Sequence, residues 1–159
     1  MSSVLELATT ILKVEEGFRS DVYLCSEGYP TTGYGVKLGY YNQSLVEYRD
    51  FPKIPESVAS LWLSELLNEL LSDLKKDPEL SHILKLDDVR MAVVLSMCYQ
   101  LGISGFKKFK KTNRLIKYGF HYEASVEMCD SLWFKQTPNR AKRHSSMFET
   151  GVLDKYYEV

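Results

Sequence analysis

The chain has 159 residues, 45% of them hydrophobic and 26% charged, with a formal net charge of -1. That length suits one folding unit, and the composition is that of a globular domain, not of a disordered or collagen-like chain. No continuous apolar run approaches the roughly 18 residues that span a bilayer, and the N-terminus has no basic n-region, so neither stable membrane insertion nor a signal peptide is expected.

Val4, Leu5, Ala8, Ile11 and Leu12 recur at helical spacing and predict a helix over 3–16, with Ser2 or Ser3 as its cap. Four glycines follow within twenty residues, Gly17, Gly28, Gly33 and Gly35. Between them lie Phe18, Val22, Tyr23, Tyr29, Thr31, Thr32 and Tyr34. Strand formers broken by glycine predict a small β-meander to about Leu38, with Ser26-Glu27-Gly28 as its first turn. Glu16 stands at the junction of helix and meander, facing a hairpin that carries a thiol and hydroxyls.

A short helix is expected over 44–49. Pro55 then opens a long one over 56–76, where Val58, Trp62, Leu66, Leu70 and Leu74 step by four and Leu63, Leu67 and Leu71 widen the stripe. At 1.5 Å per residue it is roughly 30 Å long. After a short helix or turn over 79–84, Asp87 caps a helix to Leu101 with Gly102 just past its end. That helix is apolar on nearly every side from Met91 to Leu101, so it is read as the buried centre of a helical lobe. Short helices are expected near 105–118 and 121–131. A last one starts at Thr137-Pro138, a cap followed by proline, and ends at Gly151.

The cysteines, Cys25, Cys98 and Cys129, are odd in number and lack metal-ligand spacing. That argues against a disulfide framework and for a reducing cytosol. Cys98 and Cys129 fall on apolar helix faces and are read as core; His82, His121 and His144 are read as surface residues. No metal site and no cofactor motif is visible. Charge is uneven: residues 1–84 carry 7 basic and 13 acidic side chains, net -6, and residues 85–159 carry 13 and 8, net +5. The run Lys107, Lys108, Lys110, Lys111, Arg114 and Lys117, interleaved with Phe106 and Phe109, is either a solvated face or a patch drawn to an anionic envelope. No recognised nucleic-acid motif accompanies it.

Four blocks in order carry a family resemblance. Glu16 to Gly35 reads E-G-x-R-x-x-x-Y-x-C-x-E-G-Y-x-T-x-G-x-G. Leu86-Asp87-x-Val89-Arg90, Met97-x-x-Gln100-x-Gly102 and Trp133-Phe134-x-Gln136-Thr137-Pro138-Asn139-Arg140-Ala141-Lys142-Arg143 follow it. Together they resemble the T-even bacteriophage lysozymes, over nearly the whole chain. The resemblance implies an α+β, lysozyme-like fold in a single domain over 1–159: a β-lobe at 17–55, a helical lobe at 1–16 and 56–159, and a cleft between them. It implies a glycosidase that cuts peptidoglycan, with Glu16 as general acid, Thr31 positioning water, and Cys25 in the position where the family usually has Asp. Arg140 is implied as the partner of Glu16, and Tyr99, Gln100 and Glu127 as substrate contacts.

In this reading the protein is a monomeric endolysin, an N-acetylmuramidase made in the host cytoplasm and dependent on a holin to reach the wall. The rival is a lysozyme-like binding or regulatory protein, inactive because Cys25 replaces Asp. A tail-associated or secreted lysozyme is expected to carry a fused delivery domain.

Overall fold

The computed structural model describes residues 3–158. The element order is α1 (Val4–Glu16), β1 (Arg19–Leu24), β2 (Pro30–Gly33), β3 (Val36–Lys37), α2 (Glu56–Lys76), α3 (Asp88–Lys107), α4 (Lys110–Lys117), α5 (His121–Cys129), α6 (Leu132–Gln136) and α7 (Pro138–Thr150). Three 3-10 segments, Leu45–Tyr48, Pro78–Lys85 and Lys155–Tyr157, complete it. The fold is α+β and lysozyme-like, mostly helical with one small sheet. The chain divides into two compact units, one of Leu12–Leu66 and one of the residues up to Ile11 together with those from Leu67 onward.

The first of these units holds the sheet, which is antiparallel with order β1-β2-β3. Tyr23 pairs with Thr31 and Leu24 with Pro30; Thr31 pairs in turn with Lys37. Pro30 can open β2 because a strand's first residue need not donate to the ladder. The turn between β1 and β2 closes with Cys25 N–H on the Tyr29 carbonyl at 3.0 Å and Gly28 N–H on the Cys25 carbonyl at 2.9 Å. Between Arg19 and Tyr23 the register slips in a bulge. Within that stretch, the Asp21 carbonyl accepts from the Thr32 hydroxyl at 3.0 Å.

The α1 helix begins as expected. Ser3 Oγ accepts from Glu6 N–H at 3.2 Å and Glu6 Oε2 accepts from Ser3 N–H at 3.0 Å. Such a reciprocal capping box contributes about 1 kcal/mol. Ser2, the alternative cap, lies outside the described residues.

In the other unit α3 is the core. Met91 through Cys98 are all buried, and Asp87 caps it by accepting from Arg90 N–H at 3.2 Å. Gly102, at φ 77° and ψ 161°, breaks the helix before its last turn, a conformation that L side chains avoid. By length and composition α3 is apolar enough to cross a membrane, at mean hydropathy 1.3. Its apolar residues do not form an unbroken run, because Asp88, Arg90 and Lys107 sit at its ends and Ser96 and Gln100 lie between them. Half of this apolar stretch is buried in the fold, in part against α7.

Four expectations need correction. On α2 the buried row is Ala59, Leu63, Leu67 and Leu74, while Val58 is 50% exposed. The widening leucines, not the 58–62–66 row, face the core. His144 is fully buried, because α7 buries Ala141, His144, Ser145 and Phe148 at the i, i+3, i+4, i+7 spacing of a core-facing stripe. Thr137 precedes α7 without capping it; its hydroxyl donates instead to the Trp133 carbonyl at 3.1 Å. Ser131 caps an unanticipated helix, α6, accepting from Phe134 N–H at 3.1 Å.

Candidate active site

Glu16 is the last residue of α1. Its carboxylate lies directly on Gly35. A Cβ built at residue 35 would stand 2.5 Å from Glu16 Oε2 and 2.9 Å from Cδ, and Gly35 has φ +74°. Two constraints therefore coincide on one glycine: the backbone is left-handed and the space above it belongs to the acid.

Cys25 and Thr31 stand at the neighbouring turn. Thr31 is 2% exposed, and its hydroxyl donates to the Tyr29 carbonyl at 2.7 Å. Burial pushes the Cys25 thiol up. Hydrogen bonds to its sulfur from Thr31 and from the Tyr29 and Glu27 N–H groups outweigh this, so the thiol lies below its ordinary value despite the charge of Glu27. A hydroxyl has a single proton, so donation to the carbonyl and donation to a thiolate are alternatives. When Cys25 ionises, Thr31 gains from turning its proton toward the sulfur.

Tyr23 faces Thr31 across the sheet. Its phenol is pushed up by burial first, then by the charges of Glu16 and Cys25. Arg19 stacks on its ring at 4.3 Å. Sequence reading did not single out Tyr23. The available signal was register, since Tyr23 directly faces Thr31 and cross-strand partners share a face. Glu16, Cys25, Tyr23 and Thr31 all belong to the Leu12–Leu66 unit.

The other implied residues belong to the helical unit. Arg140 is buried at 8% exposure on the first turn of α7. Its guanidinium donates to Ser96 Oγ at 3.2 Å. Gln100 Oε1 accepts from the Trp133 indole N–H at 2.9 Å, and its amide reaches the Thr137 hydroxyl at 3.5 Å. Tyr99, half-buried, precedes it on α3. Glu127 pairs with Lys111 at 2.7 Å. It lines a groove of about 580 Å³ whose walls include Phe109, Trp133, Lys108 and Asp130.

Part of the basic run is therefore neutralised, since Lys107 also pairs with Asp77 at 2.6 Å and Glu79 at 3.1 Å. Cys98 is buried and its thiol is pushed up to about 12 by burial, which makes it inert. Cys129 is half-buried and donates to Ser145 Oγ at 3.2 Å.

This arrangement offers a carboxyl group and, on the adjacent strand turn, a thiol held below its ordinary value, where glycoside hydrolysis ordinarily uses two carboxyl groups. Residues 13–143 match the family model described as phage lysozyme. Two proteins of Dictyostelium discoideum, probable T4-type lysozymes 1 and 2, are each 30% identical over 162 residues, covering 92% of this chain and 95% of theirs. The pre-baseplate central spike protein Gp5 of Enterobacteria phage T4 is 31% identical over 163 residues, covering 92% of this chain and 28% of the spike protein.

Proposed function

The chain belongs to the phage lysozyme family, and from that premise we propose that it hydrolyses the β-1,4 bond between N-acetylmuramic acid and N-acetylglucosamine in peptidoglycan. The observation that carries this reading is the seating of the Glu16 carboxylate on Gly35 in the same unit as Cys25 and Thr31.

Glu16 gives its proton to the glycosidic oxygen as the C1–O bond breaks. Cys25 supplies the second group by one of two routes. As a thiolate it attacks C1 and forms a glycosyl-sulfur intermediate that water then hydrolyses, or it takes a proton from a water that attacks C1. In either route Thr31 is the group that answers the change of charge on sulfur. Arg140 is a supporting residue, and Tyr99, Gln100 and Glu127 contact the substrate. In its biological setting the enzyme is a monomeric endolysin, accumulating in the host cytoplasm and released to the wall by a holin.

A second reading, a lysozyme-like protein that binds murein without cutting it, is favoured by one feature: Cys25 occupies the usual Asp position. A zymogram on embedded murein separates the two. The wild type clears the gel and releases new reducing ends, and Glu16→Gln slows clearing by at least about a hundredfold, the usual contribution of a general acid. Glu16→Gln is nearly isosteric, so its unfolding midpoint stays near wild type. A wild-type protein that binds murein but releases no reducing ends establishes the binding reading instead. A Glu16→Gln variant that clears at the wild-type rate removes Glu16 from the mechanism.

A further inference from the structure

The Glu16 carboxylate is seated on the two-residue turn Tyr34-Gly35 between β2 and β3. Gly33 and Gly35, on either side of Tyr34, both have left-handed backbones, with φ 62° and 74°. Glycine has the widest backbone freedom of any residue, so a turn built on two of them is soft unless something else fixes it. From Gly33 to Gly35 the sole side chain is that of Tyr34.

That side chain is tied at its far end. Tyr34 is buried, and its hydroxyl donates to Glu56 Oε1 at 2.5 Å. Burial first, then the hydrogen bond and charge of Glu56, push the Tyr34 phenol up, against a smaller opposing pull from Ser60. Hydrogen bonds from Tyr34 and then from Ser60 hold the Glu56 carboxyl below its ordinary value. At neutral pH the phenol therefore keeps its proton. Glu56 is an anion that can only accept, which fixes the direction of the bond.

Glu56 opens α2, and Ser60, one turn on, donates to the same oxygen at 2.9 Å. Lys13 of α1 reaches that oxygen at 3.5 Å. Its ammonium lies 5.4 Å from the centre of the Tyr34 ring, within cation–π range. The Phe18 ring stands 5.7 Å from the Tyr34 ring on another side. Lys13 is one turn before Glu16 on α1. The end of α1 thus meets this turn twice, through Lys13 at Tyr34 and Glu56 and through the acid at Gly35. All of these residues lie in the Leu12–Leu66 unit.

A half-exposed carboxylate beside a lysine adds little to stability, because ion pairs in water are weak. Its hydrogen bond to a buried phenol has a different effect, since it removes freedom from the turn that carries Gly35. A reacting group keeps its geometry only when the residues behind it are themselves locked by packing and hydrogen bonds.

We propose that Tyr34 is a positioning residue of the hydrolase: anchored by Glu56, it holds Gly35 under the Glu16 carboxylate. This rests on the reading that Glu16 is the acid. In this role Tyr34 and Glu56 contribute no atom to the reaction.

The test measures hydrolysis of soluble murein fragments below each variant's unfolding temperature. Tyr34→Phe removes one oxygen and leaves the ring. Glu56→Gln keeps an acceptor oxygen at the same reach, and Glu56→Met keeps the bulk without it. Tyr34→Phe and Glu56→Met lower kcat about tenfold, within the range that a displaced catalytic group produces, with KM little changed. Glu56→Gln retains most of kcat. In a Gly35→Ala background the acid has already lost its seat. There Tyr34→Phe lowers kcat by no more than about twofold, because changes that act on one contact do not add.

Wild-type kcat in Tyr34→Phe, with Glu16→Gln impaired, overturns the positioning role and leaves the function reading intact. Equal rates in Glu56→Gln and Glu56→Met overturn it as well, since acceptance from the phenol would then not matter. An undiminished loss from Tyr34→Phe in the Gly35→Ala background does the same, by placing its effect away from the seat. If Glu16→Gln keeps the wild-type rate, or the wild type releases no reducing ends, the acid reading falls and the positioning role with it. Tyr34→Phe removes a single oxygen, so the outcome does not depend on the glycine variant folding.

Discussion

At the scale of single residues, Gly35 and Cys25 carry the sharpest consequences. Gly35→Ala adds a methyl 2.5 Å from Glu16 Oε2 at a backbone φ of +74°. The left-handed conformation costs about 1–2 kcal/mol with a Cβ, and the acid must leave its seat. The expected outcome is a lower unfolding midpoint together with a loss of hydrolysis larger than that midpoint shift explains; full activity in a folded Gly35→Ala protein would show that the seat does not matter. For Cys25, hydrogen bonding holds the thiol below its ordinary 9.0, so its alkylation rate should rise with pH and level off earlier than for a free thiol. Cys98, pushed up to about 12 and buried, should react only on unfolding. Alkylation of Cys25 blocks hydrolysis, and murein fragments protect against it. Cys25→Asp, which supplies an anion at the same place, keeps much of the activity, whereas Cys25→Ser, which supplies neither an anion nor a good nucleophile, keeps little. A Cys25→Ser enzyme with the wild-type rate would make Cys25 a bystander.

At the scale of elements, the end of α3 and α4 show how packing divides a charge run that looks uniform in sequence. Lys107 and Lys111 are held by carboxylates from other segments, Asp77, Glu79 and Glu127. The net field of this face toward a distant anion therefore comes mainly from the rest of the run. Replacing Lys108, Lys110 and Lys117 together by Gln should slow lysis of whole cells and flatten its dependence on salt, because exposed charges act over about 10 Å at 0.1 M ionic strength. Hydrolysis of soluble, uncharged murein fragments should change little. A triple variant with the wild-type salt profile on cells would leave these lysines as solvated surface.

At the scale of the whole molecule, the neutral buried His144 ties folding to pH. In the unfolded chain an imidazole titrates near 6.5, and in the fold near 3. Between those values the unfolded state binds a proton that the folded state refuses, so stability falls as pH drops. The slope from this one group is about 1.4 kcal/mol per pH unit. His144→Gln removes that slope, and all other titrations cancel in the comparison. Urea midpoints measured at pH 7 and pH 4.5 should therefore drop further in the wild type than in His144→Gln. Equal drops would mean that His144 is protonated or hydrated in the folded protein.

Local chemistry was legible in the chain alone. The serine cap of α1, the glycine-punctuated meander, the long α2 with Pro55 before it, and the Asp87 and Gly151 boundaries all follow from contacts within a few residues. Glu16 stands out by its place at the junction of a helix and a hairpin, whereas the roles of Cys25 and Thr31 came from the family resemblance of the block around them. What the tertiary structure decided are pairings between distant positions. Which leucine row of α2 faces inward depends on its packing partners, since several adjacent rows are equally apolar. That His144 is core depends on Ser96, 48 residues away, because a buried imidazole is tolerable only where a partner satisfies it. Lys107 and Lys111 are quiet because Asp77, Glu79 and Glu127 reach them from other segments. Spacing along the chain determines which face a side chain takes, and packing determines what that face meets.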